Sequence, residues 1–253
     1  MNKIKRKSQY APSRGSESVL IRAPSEREAV TGIPSVVTFG AEGGYWHIPA
    51  RREPAMKRPL DVGLSLLMLV CSAPVWALVA LAIKLEDGGP VFYRQRRWGR
   101  SGGEFSVRKF RTMVADADQR FGPRQAREGD DRVTGVGRVL RSWGVDELPQ
   151  LISIFLGEMS FVGPRALAIG ERDADGNPLH YERVAGFVER LAVRPGLTGI
   201  ATVYLPKDAP VHRKFHVDRL YIRRQSFWLD VRLIMASFWI SFRGNWETRE
   251  RKL

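Results

Sequence analysis

Between Val62 and Ile83 the chain reads VGLSLLMLVCSAPVWALVALAI, a run without a single charge. At about 22 residues it is long enough for a helix to cross the hydrocarbon of a bilayer. Two features separate it from a simple crossing. Pro74 lies in the middle, where its ring removes a helix hydrogen bond and kinks or breaks the helix. Basic residues also stand on both sides: Arg51, Arg52, Lys57 and Arg58 before the run, Lys84, Arg94, Arg96, Arg97 and Arg100 after it. Positive flanks stay on the cytoplasmic side, so a spanning helix is expected to carry one basic end, not two. The pattern therefore predicts a broken helix that enters and leaves by the same face. Ser72 and Pro74 mark the break, and the Ser72 hydroxyl can serve backbone groups freed there. An ordinary transmembrane anchor is the alternative.

The run divides the chain. Residues 1–55 are rich in Ser, Pro, Gly, Arg and Glu and hold few apolar clusters. Such a segment buries too little apolar surface to offset its ordering entropy. It reads as a disordered basic leader, in which Tyr45 to Ile48 is the one piece suited to local docking. No apolar stretch follows the basic start at Lys3 to Lys7, which argues against a signal peptide. Residues 56–86 hold the membrane helix and residues 87–253 a mixed α+β domain. Val91 to Arg94 and Phe105 to Val107 look like strands joined through the Gly-rich stretch from Trp98 to Glu104. A short polar helix is expected over about Met113 to Arg127. Others are expected over Leu148 to Leu156, with Pro149 in its first turn, and over Tyr181 to Leu191. His212 to Arg224 has helical charge spacing. Phe227 to Phe242 is apolar on most faces but carries Asp230 and Arg232. Its uncharged part is too short to span, and Trp228, Trp239, Trp246 and Arg243 suit a helix lying in the headgroup layer. A core helix fits the same residues.

Lys and Arg number 41 against 27 Asp and Glu, a formal net charge of +14. That excess favours anionic partners: nucleic acid, anionic lipid headgroups or phosphorylated substrates. Cys71 is the lone cysteine, so neither an intramolecular disulfide nor a cysteine-based zinc site can form. His212 and His216 share a helix face without a third ligand nearby.

Asp146 and Glu147, followed by Leu-Pro-Gln-Leu, are the strongest chemical signal. Two adjacent carboxylates near a helix start repel one another unless a cation joins them, and their oxygens suit Mg²⁺, which also takes phosphate oxygens. An ionised carboxylate held there can attack phosphorus. A plain helix-capping pair has the same appearance. The surrounding cations change the balance. Lys109 and Arg111 stand two apart, on one side of a strand. Arg132 and Arg138 flank Thr134-Gly135-Val136-Gly137 and Arg141 follows. Arg165 follows Gly163-Pro164, and Arg194 precedes Pro195-Gly196. Arginine forks match phosphate oxygens bidentately, and cations beside a carboxylate pair supply the positioning and neutralisation that phosphoryl transfer needs.

These pieces, in this order, resemble the bacterial sugar transferase family, the monotopic polyprenyl-phosphate phosphoglycosyl transferases. The resemblance runs from about Lys57 to Glu247. It rests on KRPLDVGLSLLMLVCSAPVW, GPVFYRQRRWGRSGGEFSVRKFRTM, DDRVTGVGRVLR, VDELPQLISIFLGEMSFVGPR and RPGLTGIA. It implies a membrane-monotopic fold in which a re-entrant helix joins a small mixed α/β catalytic domain with amphipathic interfacial helices. It implies an enzyme at the cytoplasmic face of the bacterial inner membrane that moves a sugar phosphate from a UDP-sugar to a polyprenyl phosphate. Asp146 matches the family's catalytic aspartate and Glu147 its acidic partner at Mg²⁺. Pro74 matches the helix-breaking proline, Lys109 and Arg111 the basic strand motif, and Arg165 the arginine of the Gly-Pro-Arg loop. Three positions depart: Gly144-Val145 stand where Ser-Leu is common, Ala166 replaces the proline usual after Gly-Pro-Arg, and Thr202 stands where glutamine is common.

Two other classes share parts of this pattern. A basic membrane-attached nucleic-acid-binding protein explains the charge but not the acidic pair, and no nucleic-acid motif is present. A catalytically inactive scaffold of a glycan-assembly complex does not account for the retention of Asp146, Glu147, Lys109 and Arg165 together. The expected partners are therefore a UDP-sugar, a polyprenyl phosphate and anionic lipid headgroups, without nucleic acid; a homo-oligomer is compatible with the sequence.

Overall fold

The computed structural model describes residues 48, 50–117, 120, 124–127, 129–244 and 246. The apolar run lies within one helix, α1 (Lys57–Asp87), of 31 residues. At about 1.5 Å per residue that is roughly 46 Å of helix. It stops at Gly88, whose positive φ of 69° lets its N–H return to the Lys84 carbonyl. The expected interruption at Pro74 is not seen in the secondary structure, which stays helical through it. A proline forfeits one N–H while the turns on either side remain bonded. Nor does Ser72 serve the backbone: its hydroxyl accepts the indole N–H of Trp76 at 3.1 Å.

Both halves of α1 pack on the rest of the protein. Leu60, Leu64, Met68 and Leu69 lie against the main core, built around Leu151, Ile154, Phe161, Val162 and Leu233. Trp76, Val79 and Ile83 pack on Phe110 and Leu140. Between them Val70, Cys71, Ala73, Pro74 and Val75 are all exposed. The helix therefore presents an apolar middle to its surroundings while its two ends belong to the domain.

Next come β1 (Phe92–Trp98) and β2 (Glu104–Phe110), paired antiparallel from Phe92 opposite Phe110 to Trp98 opposite Glu104. They are longer than the sequence suggested, because arginines on their exposed positions hide the alternation. Phe92 stacks on Phe110 with ring centroids 5.4 Å apart, and Trp76 meets Phe110 edge-on at the same distance, so the hairpin is fixed to the second half of α1. The polar helix expected over 113–127 falls partly outside the described residues. Met113 makes an isolated bridge to Val133, and the Arg120 N–H bonds Asp116 as in a helical turn.

A second helix, α2 (Gly135–Trp143), is capped by Thr134, whose hydroxyl accepts the Gly137 N–H at 3.0 Å. A 3₁₀ turn, Val145–Glu147, leads into α3 (Gln150–Leu156). The Arg58 guanidinium caps the end of α3 by donating to the Ile154 and Phe155 carbonyls, each at 2.7 Å. Strand β3 (Ser160–Val162) pairs in parallel with β4 (Gly196–Thr198). Between these strands the single helix expected over Tyr181 to Leu191 is a 3₁₀ turn, Tyr181–Arg183, and a short α4 (Phe187–Leu191). Gly186, at φ 98°, separates them. After β4 come α5 (Ile200–Tyr204), α6 (Val211–Arg224) and α7 (Phe227–Phe242). The whole is a mixed helix and strand fold, as expected.

Helix α7 is in part the core helix that the sequence allowed. Leu233, Ile234 and Ile240 are buried in the core, while Trp228, Met235, Phe238, Trp239 and Phe242 face outward. Its Asp230 is buried with Lys57, the first residue of α1. The Lys57 ammonium donates to Asp230 Oδ2 and to the Val162 carbonyl, both at 2.7 Å, and Tyr221 donates to Asp230 Oδ1 at 2.7 Å. Four turns' worth of fold thus meet at one ion pair: the foot of α1, the end of β3, α6 and α7.

Most of the leader lies outside the described residues. Its last part is docked: Ile48 is buried among Tyr181, Phe187, Leu191 and Phe215, and the Arg51 N–H bonds the Ala192 carbonyl at 2.8 Å.

Candidate active site

Gly144 ends α2 in the left-handed region, at φ 69°, with its N–H returned to Arg141. A Cβ there would be strained by that φ and would stand 3.1 Å from the Trp246 ring, so glycine suits this turn. The turn places Asp146 and Glu147 on the 3₁₀ segment ahead of α3, not in its first turn, and both are buried.

The charge balance around the pair is cationic. Lys109 of β2 donates to Glu147 Oε1 at 2.5 Å and lies 3.9 Å from Asp146 Oδ2. The half-exposed Arg165 guanidinium is 3.5 Å from the same Glu147 oxygen. Burial alone would raise the Glu147 carboxyl. Lys109, Arg165 and Arg97 outweigh it and hold the group well below the usual carboxylate range. Glu147 is therefore a fixed anion. Its second oxygen, Oε2, is buried without a hydrogen-bond partner among the described residues. Of the two carboxylates, Asp146 is the one less tightly paired with Lys109.

An apolar cavity of about 160 Å³ opens beside Glu147. Its walls come from α1 (Met68), α2 (Trp143), β4 (Leu197) and α7 (Ile234, Phe238), with Trp246 closing one side. Of the acidic pair, Glu147 lines the cavity and Asp146 does not.

Of the expected cations, Lys109 and Arg165 reach the acidic pair. Arg111 does not: it forks onto Asp87 at the end of α1, with Nη1 at 2.6 Å from Oδ2, and donates to the Pro90 carbonyl at 2.6 Å. Strand β2 has ended by then, so Lys109 and Arg111 no longer share a side. Arg194 is also committed elsewhere, to Glu53 at 2.9 Å through Nε and to Asp61 at 3.4 Å, where it ties the approach to α1 onto β4. Arg138 is exposed on α2 and donates to the Val133 carbonyl at 3.3 Å; Arg141 lies half-buried one turn later. Arg132 is buried against Asp130. Sequence reasoning used Arg97 only as part of a basic flank. It sits in the field of Arg165 and Glu147, and burial and the Arg165 charge lower its pKa. No sequence signal marks it, because its bond to the Gly-Pro-Arg loop goes to the backbone carbonyl of Ala166.

The donor set fits a hard divalent cation only in part. Among the described residues no cluster of three His, Cys, Asp or Glu is close enough to hold a metal. Two carboxylates with one unpartnered buried oxygen match the way Mg²⁺ binds when phosphate and water complete its shell.

A buried acid pair with two cations against it thus stands beside an apolar cavity in a chain that carries one helix of membrane length. The chain belongs to the bacterial sugar transferase family, whose model matches residues 52–244. It is similar to the exopolysaccharide production protein PSS of Rhizobium leguminosarum bv. phaseoli, 40% identical over 187 residues, 72% of this chain and 92% of that one. It is similar to the UDP-glucose:undecaprenyl-phosphate glucose-1-phosphate transferase of Caulobacter vibrioides, 40% identical over 188 residues, 72% of this chain and 67% of that one. The undecaprenyl-phosphate glucose phosphotransferase of Komagataeibacter xylinus is 43% identical over 186 residues, 72% of this chain but 35% of the relative. The match thus spans nearly all of one relative and about a third of another.

Proposed function

We propose that the protein transfers a sugar 1-phosphate from a UDP-sugar to undecaprenyl phosphate, giving undecaprenyl diphosphate-sugar and UMP, at the cytoplasmic face of a bacterial inner membrane. One observation carries the reading: the buried Asp146–Glu147 pair has Lys109 and Arg165 against it, and its Glu147 lines an apolar cavity. A polar donor and a lipid acceptor both need such a site. The relatives named for UDP-glucose make UDP-glucose the first donor to test.

Asp146 is the nucleophile of this reading. Its carboxylate oxygen attacks the phosphorus next to the sugar, the bond to the bridging oxygen breaks, and UMP leaves with the electron pair. The acceptor's phosphate oxygen then attacks the same phosphorus and Asp146 departs as a carboxylate. Two steps suit a surface site, because donor and acceptor need not be bound together. Lys109 and Arg165 neutralise charge on the diphosphate and hold it in line. Asp146 and Glu147 would hold Mg²⁺, which when bound supplies further neutralisation of the diphosphate. The acceptor's tail enters through the cavity between α1, α2 and α7.

The membrane arrangement belongs to the same proposal. Helix α1 enters and leaves by one face, with its apex at Ser72 to Pro74, because residues on both sides of that apex pack on one domain while the apex is exposed. A helix that crossed the bilayer would leave one end on the far side. The sequence argument from two basic flanks is weaker than it looked, since Lys57, Arg58 and Arg97 are spent on internal bonds.

The test is UMP release from a panel of UDP-sugars by purified protein with undecaprenyl phosphate in detergent. Release that needs both substrates over many turnovers supports the reading. No release with any UDP-sugar, or equal turnover in Asp146→Asn, sinks it.

A further inference from the structure

We infer that Arg97 and Arg190 are positioning residues that aim Arg165 at the acidic pair by gripping the backbone of its loop from behind. The inference rests on the proposed reading that Arg165 meets the donor's diphosphate.

The loop from Gly163 to Leu167 lacks the proline common at position 166 in the family, where Ala166 stands. A flexible loop would let the half-exposed Arg165 wander from Glu147. Instead its backbone is bonded residue by residue. The Gly163 N–H bonds the Thr198 carbonyl and the Gly196 N–H bonds the Pro164 carbonyl, each at 2.9 Å. No side chain fits at Gly163 here, because a Cβ would stand 2.5 Å from the Arg194 carbonyl. The next two carbonyls are held by guanidinium groups. Arg190 Nη2 donates to the Arg165 carbonyl at 2.6 Å, and Arg97 Nη1 donates to the Ala166 carbonyl at 2.7 Å. The Trp98 N–H then takes the Leu167 carbonyl at 2.9 Å.

Both arginines are themselves fixed. Arg97 spans β1 by donating to Gln95 Oε1 at 2.8 Å. Arg190 is buried on α4, with Nε 3.1 Å from Asp218 Oδ2 of α6 and its guanidinium 4.1 Å from the Phe215 ring centre. Burying a guanidinium is costly, and burial lowers the pKa of each. Two such groups spent on the two carbonyls that follow the Arg165 Cα make sense where the direction of the Arg165 side chain matters. Bonds from charged donors are stronger than neutral ones, so they hold the loop more firmly than backbone pairing alone. They also place two further positive charges behind the diphosphate site without touching it.

A double-mutant cycle separates this role from a structural one. Arg97→Gln and Arg190→Gln are made alone and on an Arg165→Ala background, with kcat and KM for UDP-glucose and thermal midpoints read for each. Arg165→Ala is expected to lower kcat/KM about a hundredfold, and each glutamine variant about tenfold, mostly in KM for the donor. On the Arg165→Ala background the glutamine variants should change kcat/KM by less than about twofold, because the group they aim is gone. Arg97→Lys and Arg190→Lys, which keep one cationic donor, should recover part of the loss. A full tenfold fall on the Arg165→Ala background, or no fall with Arg165 present, would overturn the positioning role. If a glutamine variant does not fold, the lysine variants carry the same cycle and must show the same non-additivity. Unchanged kcat/KM in Arg165→Ala would instead remove the diphosphate reading, a distinct outcome from additivity.

Discussion

Replacing Asp230 by Asn isolates the claim that the foot of α1 is built into the catalytic domain. Asn keeps the shape and removes the charge. The Lys57 ammonium, 2% exposed, then loses its hydrogen-bonded counter-ion while remaining inside the core, with only the charge of Asp61, one turn along α1, still acting on it. It keeps the Val162 carbonyl at 2.7 Å and the Tyr221 oxygen at 3.1 Å, neither of which is charged to match. Breaking one side of a buried ion pair costs about 3–5 kcal/mol, because the remaining charge stays desolvated. For a domain of this size about 1 kcal/mol moves the midpoint by 2–4 °C, so the shift should be on the order of 10 °C. Lys57→Met should cost a similar amount by orphaning Asp230. The double variant Lys57→Met, Asp230→Leu should cost much less than the sum, since no charge is left buried. The assay is thermal unfolding in detergent micelles followed by tryptophan fluorescence. A loss under about 1 kcal/mol in Asp230→Asn, or single losses that simply add, would refute the reasoning. The pair also holds the end of β3, from which the Arg165 loop departs, so Asp230→Asn should lower activity as well as stability.

Three further outcomes follow from the geometry. Glu147 has a folded pKa below its usual 4.5, so its contribution to stability is complete above that pH and is lost as pH falls beneath it. The stability gap between the native protein and Glu147→Gln, measured by urea unfolding, should therefore shrink between about pH 5 and pH 3; a gap that widened would contradict the ionised, cation-held carboxylate. Ser237→Leu fills the cavity beside Glu147 and removes the bond to Thr198, so it should raise KM for undecaprenyl phosphate about tenfold and affect UMP release in the absence of acceptor far less. An equal loss in both steps would detach the cavity from the acceptor. In a Cys71→Ser background, cysteines placed at Ala50 and Ser101 should both react with an impermeant reagent from the cytoplasmic side only, and labelling of one of them from the periplasm would refute the re-entrant helix.

Much of this was legible in the sequence, for identifiable reasons. An uncharged run of this length dictates a helix, and Gly157 ends α3 where the sequence places its end, whereas α2, between Thr134 and Gly144, was not expected. The acidic pair and its partners Lys109 and Arg165 were readable because like charges adjacent in sequence demand cations in space. Arg111 and Arg194 lie away from the pair for a reason the sequence does not carry. Arg111 and Arg194 look the same as Lys109 and Arg165 in a string of letters. What diverts them is Asp87, Glu53 and Asp61, carboxylates from 24 to 141 positions away that only the packed chain brings near. Pro74 does not end the helix, since a proline removes one N–H and leaves the turns on either side bonded, so the re-entrant path proposed for α1 asks for a bend there and not a break. Arg97 and Arg190 act on backbone carbonyls, which no side-chain pattern can announce.

The central claim is that Asp146 carries the sugar phosphate, and mass spectrometry of the protein incubated with UDP-glucose and Mg²⁺ without lipid acceptor tests it most directly. The account predicts one sugar phosphate on Asp146, with an equal amount of UMP released. The adduct should disappear on adding undecaprenyl phosphate and never form in Asp146→Asn. Turnover with no adduct under any donor concentration, an adduct on another residue, or kinetics that require donor and acceptor bound together would contradict it.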